Sequence, residues 1–100
     1  MHDCSVATGD AWLKRWVPRI LASSAYASGT TALFITFDEG SGSSNHVATV
    51  VVSPTTPPGT RARSAFDHYS LLKTTEQLLG ISSYLGHADD SRSMRPAFHL

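Results

Sequence analysis

The chain has 100 residues, 41% of them hydrophobic, with eight basic side chains balanced by eight acidic ones. That length suits one small domain or a piece of a larger one, and balanced charge gives no electrostatic footprint for nucleic acid or an anionic membrane surface. No apolar run approaches the roughly 20 residues needed to span a bilayer, and the single cysteine, Cys4, excludes an internal disulfide.

The opening residues, Met1-His2-Asp3-Cys4, carry neither the basic nor the apolar segment of a signal peptide. They also lack any strand or helix-start signal, so we expect a further part of the domain upstream. From Thr8 the pattern turns helical. Trp12, Leu13, Trp16, Val17, Ile20 and Leu21 recur at three- and four-residue spacing and mark one apolar face. Thr8 is the expected N-cap, with Asp10 complementing the dipole of the first turn. Pro18 removes a backbone donor and predicts a kink there, or two short helices.

Small polar residues from 23 to 30 read as a connection. Thr31 to Phe37 is then a near-continuous apolar run, which suits a strand covered on both faces and therefore an α/β sheet. After the Gly/Ser loop from Gly40 to Ser44, His46 to Ser53 reads as a second, valine-rich strand. Prolines 54, 57 and 58 exclude regular structure in the next segment. Asp67 should cap a second long helix, with Leu71, Leu72, Thr75, Leu78 and Leu79 facing inward and Gly80 ending it. The tail reads as a loop anchored by Leu85, Met94 and Phe98. Two strands covered on both faces need neighbours that this chain does not supply, so we expect the isolated chain to be incompletely folded.

The chemistry concentrates where the first strand ends, at Asp38-Glu39-Gly40. Inside a strand, adjacent side chains point to opposite faces; at a break into a turn the two carboxylates can converge, with Gly40 permitting the swing. Ligands of open α/β sheets gather beyond the carboxyl ends of the strands, and two hard oxygen donors suit a divalent cation. The same three residues are also ordinary turn chemistry. His2 and Asp3 read either as a terminus of no significance or as a group that donates a proton or hydrogen bond to a phosphoryl group. His46 faces water at a strand edge or reaches the carboxylates across the loop, and His68 reads as structural in the first turn of its helix. His87 and His99 have no supporting context. Ser41, Ser43 and Ser44 have no base at motif spacing. Walker, dinucleotide and cysteine-zinc patterns do not occur.

Three ordered blocks carry a family resemblance: "MHDCSVATGDAWLKRWVPRIL", "ALFITFDEG" and "HYSLLKTTEQLLGI". Together they resemble the carboxyl-terminal part of the bacterial phosphoesterase family, which holds phospholipases C and acid phosphatases within the alkaline-phosphatase-like superfamily. The likeness runs from His2 to Phe98. It implies that residues 1–100 are the carboxyl-terminal portion of one catalytic domain, part of a sheet covered by helices on both faces and incomplete in this chain. It further implies metal-dependent hydrolysis of phosphate esters, with Asp38 and Glu39 as ligands of a divalent cation of unspecified identity and His2 at the phosphoryl group. Asp3 and His46 become substrate-side or supporting residues. His46 fits less closely, because relatives of the phospholipase type carry an Asp-His pair where this chain has Asn45-His46. Glu76 is implied to hold helix to sheet. The family's nucleophile, its Glu-Asn metal block and a cysteine partner for Cys4 would all lie in an upstream half, so the chain alone should be inactive. The full-length family member is expected to be secreted or periplasmic. The rival readings are a non-catalytic α/β module that binds a cation or a partner chain, and a hydrolase of sulfate or phosphonate esters on the same scaffold.

Overall fold

The computed structural model describes residues 3–100. Helix α1, Val6–Leu21, starts three residues earlier than Thr8 suggests. Ser5 has extended backbone angles, and its hydroxyl accepts the Thr8 N–H at 3.2 Å and pairs with the Thr8 hydroxyl at 2.9 Å. Ser5 is therefore the cap, and Thr8 is the residue whose amide it satisfies. The helix also continues through Pro18. A proline forfeits one hydrogen bond to the preceding turn, and here only the final turn comes after it. That turn is closed by the Ala22 N–H, which donates to the Pro18 carbonyl at 2.9 Å. The break falls instead at Ser23, whose hydroxyl donates to Ile20 and accepts the Tyr26 N–H, starting the short helix α2, Ser24–Ala27.

Two strands come next, β1 at Leu33–Thr36 and β2 at Thr49–Val52, each shorter than its apolar run. They pair antiparallel in the register Leu33↔Val52 to Thr36↔Thr49. A hydroxyl bond of 2.8 Å between Thr36 and Thr49 ties the pair next to the turn. The architecture is thus mixed, helices together with a two-stranded antiparallel sheet. Burial on both strand faces is not realised among the described residues: β1 is half-buried along its length, and Val50 of β2 is 53% exposed. The helices pack chiefly on their sequence neighbours, α1 on α2 and α3 (His68–Leu78) on the 3₁₀ turn Gly86–Ala88.

Helix α3 begins and ends where the sequence places it. Asp67 accepts the Ser70 N–H at 2.8 Å while the Ser70 hydroxyl accepts the Asp67 N–H, a reciprocal box that satisfies two otherwise orphaned donors. Gly80 takes φ +74 beyond the C-terminus, a conformation that glycine adopts without strain. The expected leucine face is not the buried one. Ser70, Thr74 and Glu76 are buried, while Leu78, Leu79 and Thr75 lie exposed. The tail causes this by folding back over the polar side. Thr74 Oγ1 donates to the Ser70 carbonyl and accepts the Met94 N–H at 2.8 Å, and the Ser93 hydroxyl donates to Gln77 at 2.6 Å. Glu76 accepts the Leu85 N–H at 3.2 Å, so it fastens α3 to the tail rather than to the sheet. Of the expected anchors, Met94 is buried and Phe98 stacks at 6.3 Å from Phe66, while the Leu85 side chain is 67% exposed. A last short helix, α4 at Arg95–Phe98, adds order to a tail expected to be loop.

Candidate functional site

Strand β1 delivers Phe37, Asp38 and Glu39 to the molecular surface, where both carboxylate residues are exposed. The chain then folds into a loop with a defined geometry. The Gly40 N–H donates to Asn45 Oδ1 at 2.7 Å, and the Asn45 N–H returns to the Gly42 carbonyl at 3.3 Å. Asn45 sits at φ +43, a left-handed conformation that asparagine tolerates better than most residues. The role of Gly40 differs from the backbone swing the sequence suggests. A Cβ at this position would run into the His46 carbonyl oxygen and come within 2.8 Å of the His46 nitrogen. Gly40 is required for close approach between the two ends of the loop, not for a positive φ.

A second contact reaches the turn from far along the chain. His68, the first residue of α3, bonds the backbone carbonyl of Asp38 through Nε2 at 2.7 Å. A carbonyl oxygen only accepts, so Nε2 carries the proton. Helix α3 and the end of β1 are thereby joined at the carboxylate pair. At the cap just before His68, Asp67 is held below its ordinary pKa, chiefly by the hydrogen bond from the Ser70 N–H.

Beside the turn lies a cleft of about 840 Å³, walled by the 44–49 segment, the 60–68 segment, Met94 and Phe98. His46, Asn45, His68 and Arg61 give it polar and cationic groups, and Phe66, Leu71 and Phe98 its apolar ones. The structure thus ties the backbone of the carboxylate turn to His68, Asn45 and His46, while the cleft is lined by Asn45, His46 and His68 and by neither Asp38 nor Glu39. Asp3 is exposed ahead of α1, and His2 lies outside the described residues. Two carboxylates at a strand end are a donor set suited to a hard divalent cation. The pair alone falls short of a coordination shell, and among the described residues no group of three or more His, Cys, Asp or Glu is placed to bind a metal.

Neither Asn45 nor His68 stands out as a candidate site residue in the sequence; His68 reads there as structural, and its bond to a backbone carbonyl is of that kind. Asn45 carried a signal, being an asparagine within a Gly/Ser loop, where its side chain readily bonds nearby backbone. His68 carried none, since its partner is 30 residues away.

Comparison with known proteins places this geometry in context. The family model described as the phosphoesterase family matches residues 1–82, a span that includes the carboxylate turn, Asn45, His46 and His68. Phosphatidylinositol-3-phosphatase of Mycobacterium tuberculosis (strain ATCC 25618 / H37Rv) is 41% identical over 86 residues, covering 81% of this chain and 26% of the relative. The chain thus spans about a quarter of the length of the curated relative it matches. No solved structure matches it. With the family model covering most of its length, the chain belongs to the phosphoesterase family.

Proposed function

We propose that this chain forms part of the metal centre of a phosphate-ester hydrolase, of phosphatase or phospholipase C type. The observation that carries the reading is the turn at the end of β1, where Asp38 and Glu39 project from a loop closed by Gly40 and Asn45. In this reading both carboxylates hold a divalent cation, whose positive charge would polarise phosphoryl oxygens and stabilise developing negative charge. His2 donates to the phosphate or the leaving group, and Asp3 and His46 line the substrate side. Hydrolysis requires a nucleophile and further ligands from elsewhere in the catalytic domain, of which residues 1–100 would be the carboxyl-terminal portion. The same reading takes β1 and β2 as part of a larger alkaline-phosphatase-like sheet and the whole protein as exported. The relative's name, a phosphatidylinositol-3-phosphatase, supports the phosphatase branch.

The test is manganese titration of the whole protein by calorimetry, with p-nitrophenyl phosphate turnover measured in parallel. Asp38→Asn preserves shape and removes one negative charge, so affinity and turnover should both fall while the fold is retained. Unchanged affinity together with unchanged turnover would remove the ligand assignment. A second reading, a non-catalytic module that binds a cation or partner chain, draws support from the small donor set among the described residues. It predicts manganese binding without turnover.

A further inference from the structure

The carboxylate turn is held on both sides of Glu39, by one side chain of its own loop and by one from helix α3. The carbonyl of Asp38 accepts from His68 Nε2 at 2.7 Å, and the N–H of Gly40 donates to Asn45 Oδ1 at 2.7 Å. These two backbone groups flank Glu39, so the two bonds fix the peptide planes from which both carboxylate side chains project. We propose that His68 and Asn45 are positioning residues for the Asp38–Glu39 pair, clamping its backbone so that the two carboxylates are presented in one fixed arrangement to the cation. This rests on the metal reading of the turn.

Three features of the geometry favour a clamp over incidental contacts. Both bonds are short for nitrogen–oxygen pairs. They arrive from separate elements, one from within the loop and one from helix α3. Each also fixes a backbone group next to a carboxylate residue. Gly40 completes the device, because its lack of a side chain lets the loop close against His46 closely enough for Asn45 to reach back. Asn45 does this from φ +43, a conformation held in part by the bond it accepts. Its neutral amide closes the loop without placing a third negative charge beside the pair. The cation would gain from the clamp because a preorganised pair spends no binding energy on ordering the turn, and residues that support metal ligands typically contribute about 10–100-fold in metal affinity.

The experiment pairs two disruptive with two conservative variants of the whole protein. His68→Ala and Asn45→Ala remove the donor and the acceptor. His68→Gln retains an N–H of similar reach, and Asn45→Asp retains the acceptor oxygen and the tolerance for positive φ. Two quantities are read: amide hydrogen exchange of the 37–46 segment without metal, and manganese affinity by calorimetry. We expect both alanine variants to speed exchange in that segment, with α1 unaffected, and to weaken manganese binding about tenfold or more. Both conservative variants should restore slow exchange, and His68→Gln, which adds no charge, should restore the affinity as well. Unchanged exchange in the alanine variants would overturn the clamp whatever the metal does. Faster exchange with unchanged manganese affinity, in a protein where Asp38→Asn does weaken binding, would overturn the positioning role while leaving the metal reading intact. If Asp38→Asn leaves manganese affinity unaltered, the metal reading itself fails and the positioning role with it.

Discussion

Thr74 is fully buried, and its hydroxyl is used twice, donating to the Ser70 carbonyl and accepting the Met94 N–H. Replacing it with valine keeps the volume but strands a buried backbone donor, which costs about 1–3 kcal/mol. Thr74→Val should therefore lower the urea midpoint of the whole protein clearly, while Thr74→Ser stays near the parent. Equal midpoints for both would show that the tail does not depend on this bond. Glu76, two residues on, is 4% exposed, with one oxygen on the Leu85 amide and the other without a hydrogen-bond partner among the described residues. The burial of these polar side chains could not be read from the sequence. Periodicity scores leucines as inward, yet the covered side of α3 is decided by a tail that returns from 9 to 20 residues away to pair with its hydroxyl and carboxylate groups. At the site, by contrast, the Asp38-Glu39-Gly40 turn was legible because a strand, two carboxylates and a glycine are contiguous. His68 was not, because nothing local to it encodes contact with a carbonyl across the fold.

At the scale of the elements, caps were the most readable features where they were local. Asp67 and Gly80 bound α3 correctly because each acts on backbone groups within one turn. The start of α1 went unread because two hydroxyls, Ser5 and Thr8, compete for one role and only the backbone angles at Ser5 decide it. The Asp67 cap makes a pH prediction. Its pKa is lowered from an ordinary value of 3.8, with the Ser70 N–H bond as the largest cause. A depressed acid pKa contributes stability that is fully present above the unfolded value and is lost as the pH falls through the folded one. The first turn of α3 should thus loosen as the pH drops below about 4, and with it the placement of His68. Amide exchange of residues 67–71 across that range measures this. Asp67→Asn, also a good cap, should remove the pH dependence while keeping the turn ordered near neutrality. An identical acid response in both proteins would rule out Asp67 as its source.

The whole molecule is more open than its size requires. Its radius of gyration is 14.6 Å, against about 13 Å for a compact chain of this length. Its accessible surface is 7303 Å², against about 5,500 Å² for a folded monomer of this mass. Ala88 and Met94 are the only buried hydrophobic residues among those described, and Trp12 and Leu79 are 59% and 70% exposed. The two tryptophans of α1 meet each other at 6.3 Å, and Arg15 and Arg19 lie over the Trp16 ring, so that helix sets its own cations on Trp16 while Trp12 stays open to solvent. A domain of 100 residues normally unfolds with an enthalpy of about 70 kcal/mol. Expressed as these 100 residues alone, the chain should bind a hydrophobic dye and melt with a much smaller, broad transition. A sharp melt of ordinary enthalpy would show that this surface is compatible with independent folding.

The antiparallel pairing of β1 and β2 has a further consequence, for synthesis and refolding. Its strands are joined by a connection from 37 to 48, so the hairpin can close locally, on a timescale of about 1–10 μs, far sooner than distant segments can dock on it. During that interval each strand offers an outer row of amide and carbonyl groups to any other extended chain. The segments Leu-Phe-Ile-Thr and Thr-Val-Val-Val contain no lysine, glutamate or proline to deter such strand addition. Refolding yield should therefore decline as protein concentration rises. Val50→Lys, at an exposed position on β2, should recover much of the loss, and a concentration series of the two proteins would reveal whether the hairpin is where aggregates are seeded.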